Sequence, residues 1–161
     1  MMLLPLATWV PVLDGDAVAV TMYERHYSAA RGLARRRARG TTLFLGPGQK
    51  LVLMTPCRRA LFAWRRERYR RDGQIGVECA IFRNEGAGLS SELISSADLI
   101  ADRRWPGVRH FTFVDPAETA RRRSRGGAPG QCFIHAGWRQ CGETASRGLK
   151  ILERLAGAAA P

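Results

Sequence analysis

The stretch IGVECAIFRNEGAGLSSE, residues 75–92, decides how the rest of the chain is read. Its apolar run, Val77 to Phe82, has the length and composition of a buried strand and ends at Arg83. Arg83-Asn84-Glu85-Gly86-Ala87-Gly88 is an R-x-x-G-x-G loop, and Leu89-Ser90-Ser91-Glu92 opens a helical pattern. A strand that passes through a glycine turn into a helix presents several unpaired backbone amides at one point. The helix dipole adds partial positive charge there, so an anion, most often a phosphate, is the expected guest.

Outward from this stretch, Ser90 to Arg104 reads as a helix with Leu93, Ile94, Ala97, Ile100 and Ala101 on one face. Ser90 or Ser91 is expected to cap it, with Glu92 in the first turn. Trp105-Pro106-Gly107 ends the helix, and Arg109 to Val114 follows as a strand closed by Asp115-Pro116. The helix is then a crossover, which makes Ile75–Phe82 and Arg109–Val114 parallel neighbours.

Upstream, Thr8–Leu13 reads as a strand and Ala17–Arg25 as a short helix. Lys50–Thr55 and Ala60–Arg66 form a hairpin about Pro56–Arg59, and a second turn at Arg71–Gln74 leads into the decisive stretch. Downstream, Arg121–Gly127 reads as a flexible basic loop and Pro129–Ala136 as a short helix. Trp138–Cys141 and Leu149–Leu152 read as a final strand pair. The predicted class is α+β: a mixed, mostly antiparallel sheet with one central parallel pair, flanked by helices. Residues 1–155 are predicted to form a single domain and 156–161 a frayed tail.

The chain has 161 residues and 45% hydrophobic content, enough for a full core. It carries 26 Lys and Arg against 14 Asp and Glu, a formal charge of +12, and all its basic residues except Lys50 and Lys150 are arginines. That balance points to a polyanionic partner, nucleic acid first, although a GC-rich genome enriches arginine without any selection for binding. Cys57, Cys79, Cys132 and Cys141 show no metal-finger spacing, so no metal is expected and reduced thiols are the default. The apolar segment Met1–Leu13 is broken by Pro5 and Pro11 and lacks a preceding positive charge. It reads as neither a signal peptide nor a membrane span, and a soluble cytoplasmic protein is expected.

The element order, the loop at 83–88 and the later segment Cys132-Phe133-Ile134-His135-Ala136-Gly137-Trp138-Arg139 resemble the GNAT acyltransferase superfamily. The resemblance implies a diphosphate loop whose backbone amides hold an acyl-CoA or related donor. It also implies a late helix-to-strand turn, where the family often places a tyrosine as general acid. Phe133 stands at that position here and cannot donate a proton. His26-Tyr27-Ser28, Arg83 and the serine-led helix are further similar to the Mom DNA-modification proteins of bacteriophages. That likeness implies transfer of a small carbamoylmethyl group to the exocyclic amine of adenine, which shields phage DNA from restriction.

The resemblance makes His26, Tyr27, Ser28 and Asp115 the candidate catalytic residues. Arg83, Asn84, Glu85, Gly86, Gly88, Ser90 and Ser91 are the candidate donor-binding residues. Arg35, Arg36, Arg37, Arg65, Arg66, Arg68, Arg121, Arg122 and Arg123 are candidate contacts to double- or single-stranded DNA. Each also has a plainer reading. Imidazole titrates near neutral pH and suits proton transfer from an amine, yet His26 also reads as an exposed residue beside a packed Tyr27. Asp115 also reads as turn chemistry, Ser90 or Ser91 as a cap, and Arg83 as a solvated strand end. Alternation places Glu78 at an exposed or cleft-facing position, where it reads as a base. His135 reads as a substitute acid or a surface residue. Trp64 reads as packing, or as a ring that stacks a flipped base beside the arginines that follow it. Two other functions fit the same residues: an acetyl-CoA-dependent N-acetyltransferase of small or protein amines, and a catalytically inactive nucleic-acid-binding module.

Overall fold

The computed structural model describes residues 8–26, 29, 38–121 and 130–157. Seven strands form one sheet. They are β1 (Val10–Val12), β2 (Gln49–Met54), β3 (Ala60–Arg66), β4 (Val77–Asn84), β5 (His110–Val114), β6 (Arg139–Glu143) and β7 (Lys150–Arg154). The described helices are α1 (Ala17–Glu24), α2 (Ser90–Arg104), α3 (Pro116–Arg121) and α4 (Gln131–His135). In space the strands run β1-β2-β3-β4-β5-β7-β6, with β4 and β5 parallel and every other pair antiparallel. The predicted class and parallel pair agree with this arrangement, but the element order gains a helix, α3, where Asp115-Pro116 was expected only to close a strand. The basic segment expected as a loop from Arg121 begins instead as the last residue of α3; its remainder lies outside the described residues.

Two-residue alternation along β3 divides the core between the two faces of the sheet. Phe62 and Trp64 point to one face, where they meet Leu93, Ile94, Ala97 and Ala101 of α2 together with Phe133 and Trp138. Leu61 and Ala63 point to the other, against Ala19, Met22 and Tyr23 of α1 and the segment carrying Phe44 and Leu45. Trp64 is fully buried, stacked with Trp138 and packed at a tilt against Phe62 and His110. Its reading as a base-stacking ring is therefore corrected. The indole of Trp9 crosses from β1 to donate to the carbonyl of Leu93 at 3.0 Å, tying the first strand to α2.

The central strand is irregular where it matters. Ala63 pairs with Ile81 but Trp64 pairs with Cys79, which leaves Ala80 as an extra residue in β4. A bulge of this kind bends its strand and disrupts the ladder. It also inverts the alternation: Val77 and Cys79 face α2, whereas Ile81 faces α1. Pairing between β4 and β5 is confined to Val77 with His110 and Glu78 with Phe111. Beyond those residues both strands continue but separate.

Candidate functional site

The separation of β4 and β5 opens a cleft of about 310 Å³ on the face covered by α4, lined by His26, Cys79, Phe82, Thr112, Gln131 and Phe133 among others. A second cleft of about 200 Å³ contains His26, Glu78, Cys79, Ala80, Phe113, Asp115 and Arg147 in its wall. The two share His26, Cys79, Ala80 and Phe113, so they lie back to back across the point where the strands part. Thr112 fixes that point by donating its hydroxyl to the carbonyl of Cys79 at 2.8 Å. Burial pushes the Cys79 thiol well above its ordinary range, so it stays neutral there.

The glycine loop lies at the far end of β4. Asn84 staples it: its Oδ1 accepts from the amides of Gly86 and Ala87 at 3.1 and 2.9 Å, and its Nδ2 donates to the carbonyl of Gly88 at 2.8 Å. Nδ2 also donates to Ser90 Oγ at 2.9 Å. The expected serine cap is corrected by this geometry. Leu89 is the N-cap and no side chain caps α2, so the amides of Ser90, Ser91 and Glu92 have no intrahelical or capping partner among the described residues. Gly86 and Gly88 adopt φ of +97° and +133°, a region closed to most side chains. A Cβ on Gly88 would meet nothing within 4 Å, so the glycine is there for its backbone and for the open space above it. Gly88→Ala is expected to cost about 1–2 kcal/mol through backbone strain alone, measured by urea unfolding.

Arg83 and Glu85, both expected to contact a donor, are engaged with each other and with the end of α1. Glu85 accepts from Arg25 at 2.7 and 2.9 Å and from Arg83 at 2.8 Å, while Arg83 also donates to the carbonyl of Arg25 at 2.9 Å. This clamp fixes the residue that precedes His26 against the glycine loop. Hydrogen bonding from Arg25, then from Arg83, outweighs partial burial and holds the Glu85 carboxyl below its ordinary value of 4.5. A carboxyl depressed in the folded state stabilises above its unfolded pKa and loses that contribution as the pH falls through the folded value. Glu85→Gln is therefore expected to cost about 0.5–1 kcal/mol at pH 7. The difference from the parent chain should shrink steadily as the pH is lowered below 4.5, as read by denaturant titration across that range.

The other candidate residues are placed differently from one another. Asp115 acts as a cap: its Oδ1 accepts from the amides of Ala117 and Glu118 at 3.0 and 3.2 Å, and it also borders the second cleft. Phe133 is buried against Phe82 and Trp138 with its position on the first cleft, and His135 is a surface residue bonded to Gln131. Arg65 is corrected from an outward nucleic-acid contact to an inward one, paired with Glu78 at 3.0 Å. Of the two positions expected for Glu78, the cleft-facing one holds: it stands in the wall of the second cleft, buried, and held by Arg65 and by Arg70 at 2.6 Å. Arg66 and Arg68 do face outward. Tyr27, Ser28, Arg35, Arg36, Arg37, Arg122 and Arg123 lie outside the described residues, and for Arg121 only the backbone is described.

Sequence reasoning missed a buried polar network below the cleft. Asp98 on α2 accepts from Trp138 Nε1 at 2.9 Å and pairs with His110 Nδ1 at 2.8 Å. Asp102, one turn along, lies 3.3 Å from His110 Nε2 and accepts from Arg154 at 3.1 Å, although the approach to Nε2 is too oblique for a hydrogen bond. The signal was present: Asp98 falls inside the apolar stripe of α2, and Asp102 at i+4 shares its face. Among the described residues, no group of three or more His, Cys, Asp or Glu side chains converges as metal ligands, and no helix is long and apolar enough to cross a membrane. Compared with protein-family models, curated proteins and solved structures, the chain matches none of them.

Proposed function

We propose that this protein is a GNAT-type group transferase that moves a small group, such as carbamoylmethyl, from a phosphate-bearing donor to the exocyclic amine of a DNA base, in the manner of the Mom proteins. The observation that carries the reading is the unzipped β4–β5 pair, with two clefts back to back at His26 and a glycine loop opening onto an uncapped helix. The strand order and the bulge at Ala80 support it, because bulges commonly adjoin active sites and re-aim the strand beside them.

A donor of the acyl-CoA kind fits the first cleft. The amides of Ser90, Ser91 and Glu92 suit a phosphate, and the space above Gly86 and Gly88 admits it close to the backbone. Phe82, Phe113, Val114 and Phe133 give the cleft an apolar wall for the transferred group. When bound, the donor supplies an activated carbon for attack by the amine. His26, common to both clefts, takes the proton that the attacking nitrogen must lose. Phe133 cannot return a proton to the departing group, so that group leaves as an anion or is protonated by solvent.

The second cleft, about 200 Å³, is smaller than the ~300–1,000 Å³ of drug-sized sites and suits one planar ring system. A base in a duplex reaches it only after flipping out of the stack. The net charge of +12 suits a polyanionic acceptor. The test is mass spectrometry of nucleosides from DNA co-expressed with the protein, with His26→Ala as control. A new modified nucleoside that disappears in the control is the expected result. Unmodified DNA together with acetyl transfer to a free amine would assign the chain to the ordinary N-acetyltransferases. Neither activity would leave a binding module.

A further inference from the structure

We propose that the β3–β4 hairpin, at the end of the sheet opposite the glycine loop, is a docking surface for single-stranded nucleic acid. The segment Arg65-Arg66-Glu67-Arg68-Tyr69-Arg70-Arg71-Asp72 is sorted by the fold into two sets. Arg65 and Arg70 turn inward: Arg65 meets Glu78 at 3.0 Å and Glu67 at 3.8 Å, while Arg70 meets Glu78 and Asp72, each at 2.6 Å. Arg70 also lies over the ring of buried Phe111. Burial works against the charge of its guanidinium, and the carboxylates of Asp72 and Glu78 more than offset that effect, so its pKa is raised.

The inward pair thus consumes the acids of the hairpin. Arg66, Arg68 and Arg71 face solvent with no ion pair among the described residues. Tyr69 and Ile75 are 80% and 83% exposed beside them. The guanidinium of Arg68 lies 5.5 Å from the centre of the Tyr69 ring. Next to them is a cavity of about 610 Å³ lined by Arg66, Glu67, Arg68, Gln74 and Ile75.

Charge complementarity selects a polyanion, because three planar guanidinium forks match phosphate oxygens. The exposed ring selects a nucleic acid over an acidic protein: carboxylates need only the cations, whereas an unpaired base stacks on an aromatic face. A single strand is favoured because its bases are already free to stack. The proposal rests on the nucleic-acid part of the reading above and is independent of the chemistry in the clefts.

The experiment is fluorescence anisotropy of the full chain with a labelled oligothymidylate of 12 nucleotides, at 50 and 200 mM NaCl. With three phosphate contacts, affinity should fall roughly 20-fold across that range. Tyr69→Ala should weaken binding about tenfold and Tyr69→Trp should restore it. Arg68→Glu should weaken binding several-fold more than Arg59→Glu, an equal charge change at the turn between β2 and β3. Circular dichroism melts check that these exposed substitutions leave the fold intact. Equal losses from Arg68→Glu and Arg59→Glu, or no loss from Tyr69→Ala, would overturn the proposal. Poly-glutamate competing as well as the oligonucleotide would also overturn it, in favour of an acidic protein. A modified nucleoside seen without hairpin-dependent binding would leave the transferase reading standing alone.

Discussion

His26→Ala is expected to lower DNA modification by a hundred- to ten-thousand-fold, the range in which positioned general bases contribute. His26 lies just beyond α1, whose start is capped by Asp16 accepting from the amides of Val18 and Ala19 at 3.1 Å. The end of that helix is fastened to the glycine loop through Arg25, Glu85 and Arg83. Both ends of the segment are therefore held, and the imidazole has a defined place where the clefts meet. The core residues of α1 are Ala19, Met22 and Tyr23 rather than His26, so the variant should unfold at nearly the parent denaturant concentration. Nucleoside mass spectrometry gives the rate and urea titration the stability. A variant that retains more than a tenth of the parent rate would remove His26 from the chemistry.

Asp98→Ala is expected to have the largest effect on stability, a loss of about 3–5 kcal/mol, because removing one member of a buried ionic network strands the others. Asp98 accepts from Trp138 and pairs with His110, and Arg154 Nε lies 3.8 Å away. Alanine would leave an indole N–H and an imidazole with no acceptor in the core, each costing about 1–3 kcal/mol. A domain of ordinary stability has only about 5–15 kcal/mol to lose. The measurement is the urea midpoint, with Asp98→Asn for comparison. Asparagine keeps an acceptor for Trp138 and should lose less. A fall below 1 kcal/mol for alanine would show that water reaches the network.

Much of the fold could be read from residue order. Ala60–Arg66 and Ser90–Arg104 have the predicted limits, because a charged strand end and a Trp-Pro-Gly stop are local signals. The parallel placement of β4 and β5 followed from the intervening crossover helix. Glu78 faces a cleft as alternation allowed, but its burial has a cause that is not local. It depends on Arg65 and Arg70, which arrive from the neighbouring strand and turn. The phase change at Ala80 was equally hidden, because nothing in Cys-Ala-Ile announces an extra residue. The glycine loop was legible as a loop, but its internal wiring was not. Asn84 rather than a serine organises it, and Glu85 spends its charge on two arginines. His26 was singled out from a tripeptide, whereas its place beside both clefts depends on where two separated strands diverge.

The back-to-back clefts at Cys79 and Ala80 carry a cost for any enzyme that uses them. At Cys79 and Ala80 the partition between them is only a small side chain thick, so water held in an empty second cleft stands close behind whatever occupies the first. A transferase built this way wastes donor by slow hydrolysis whenever its true recipient is missing. How slowly it does so measures how well Phe113 and Leu149 keep the rear entrance dry.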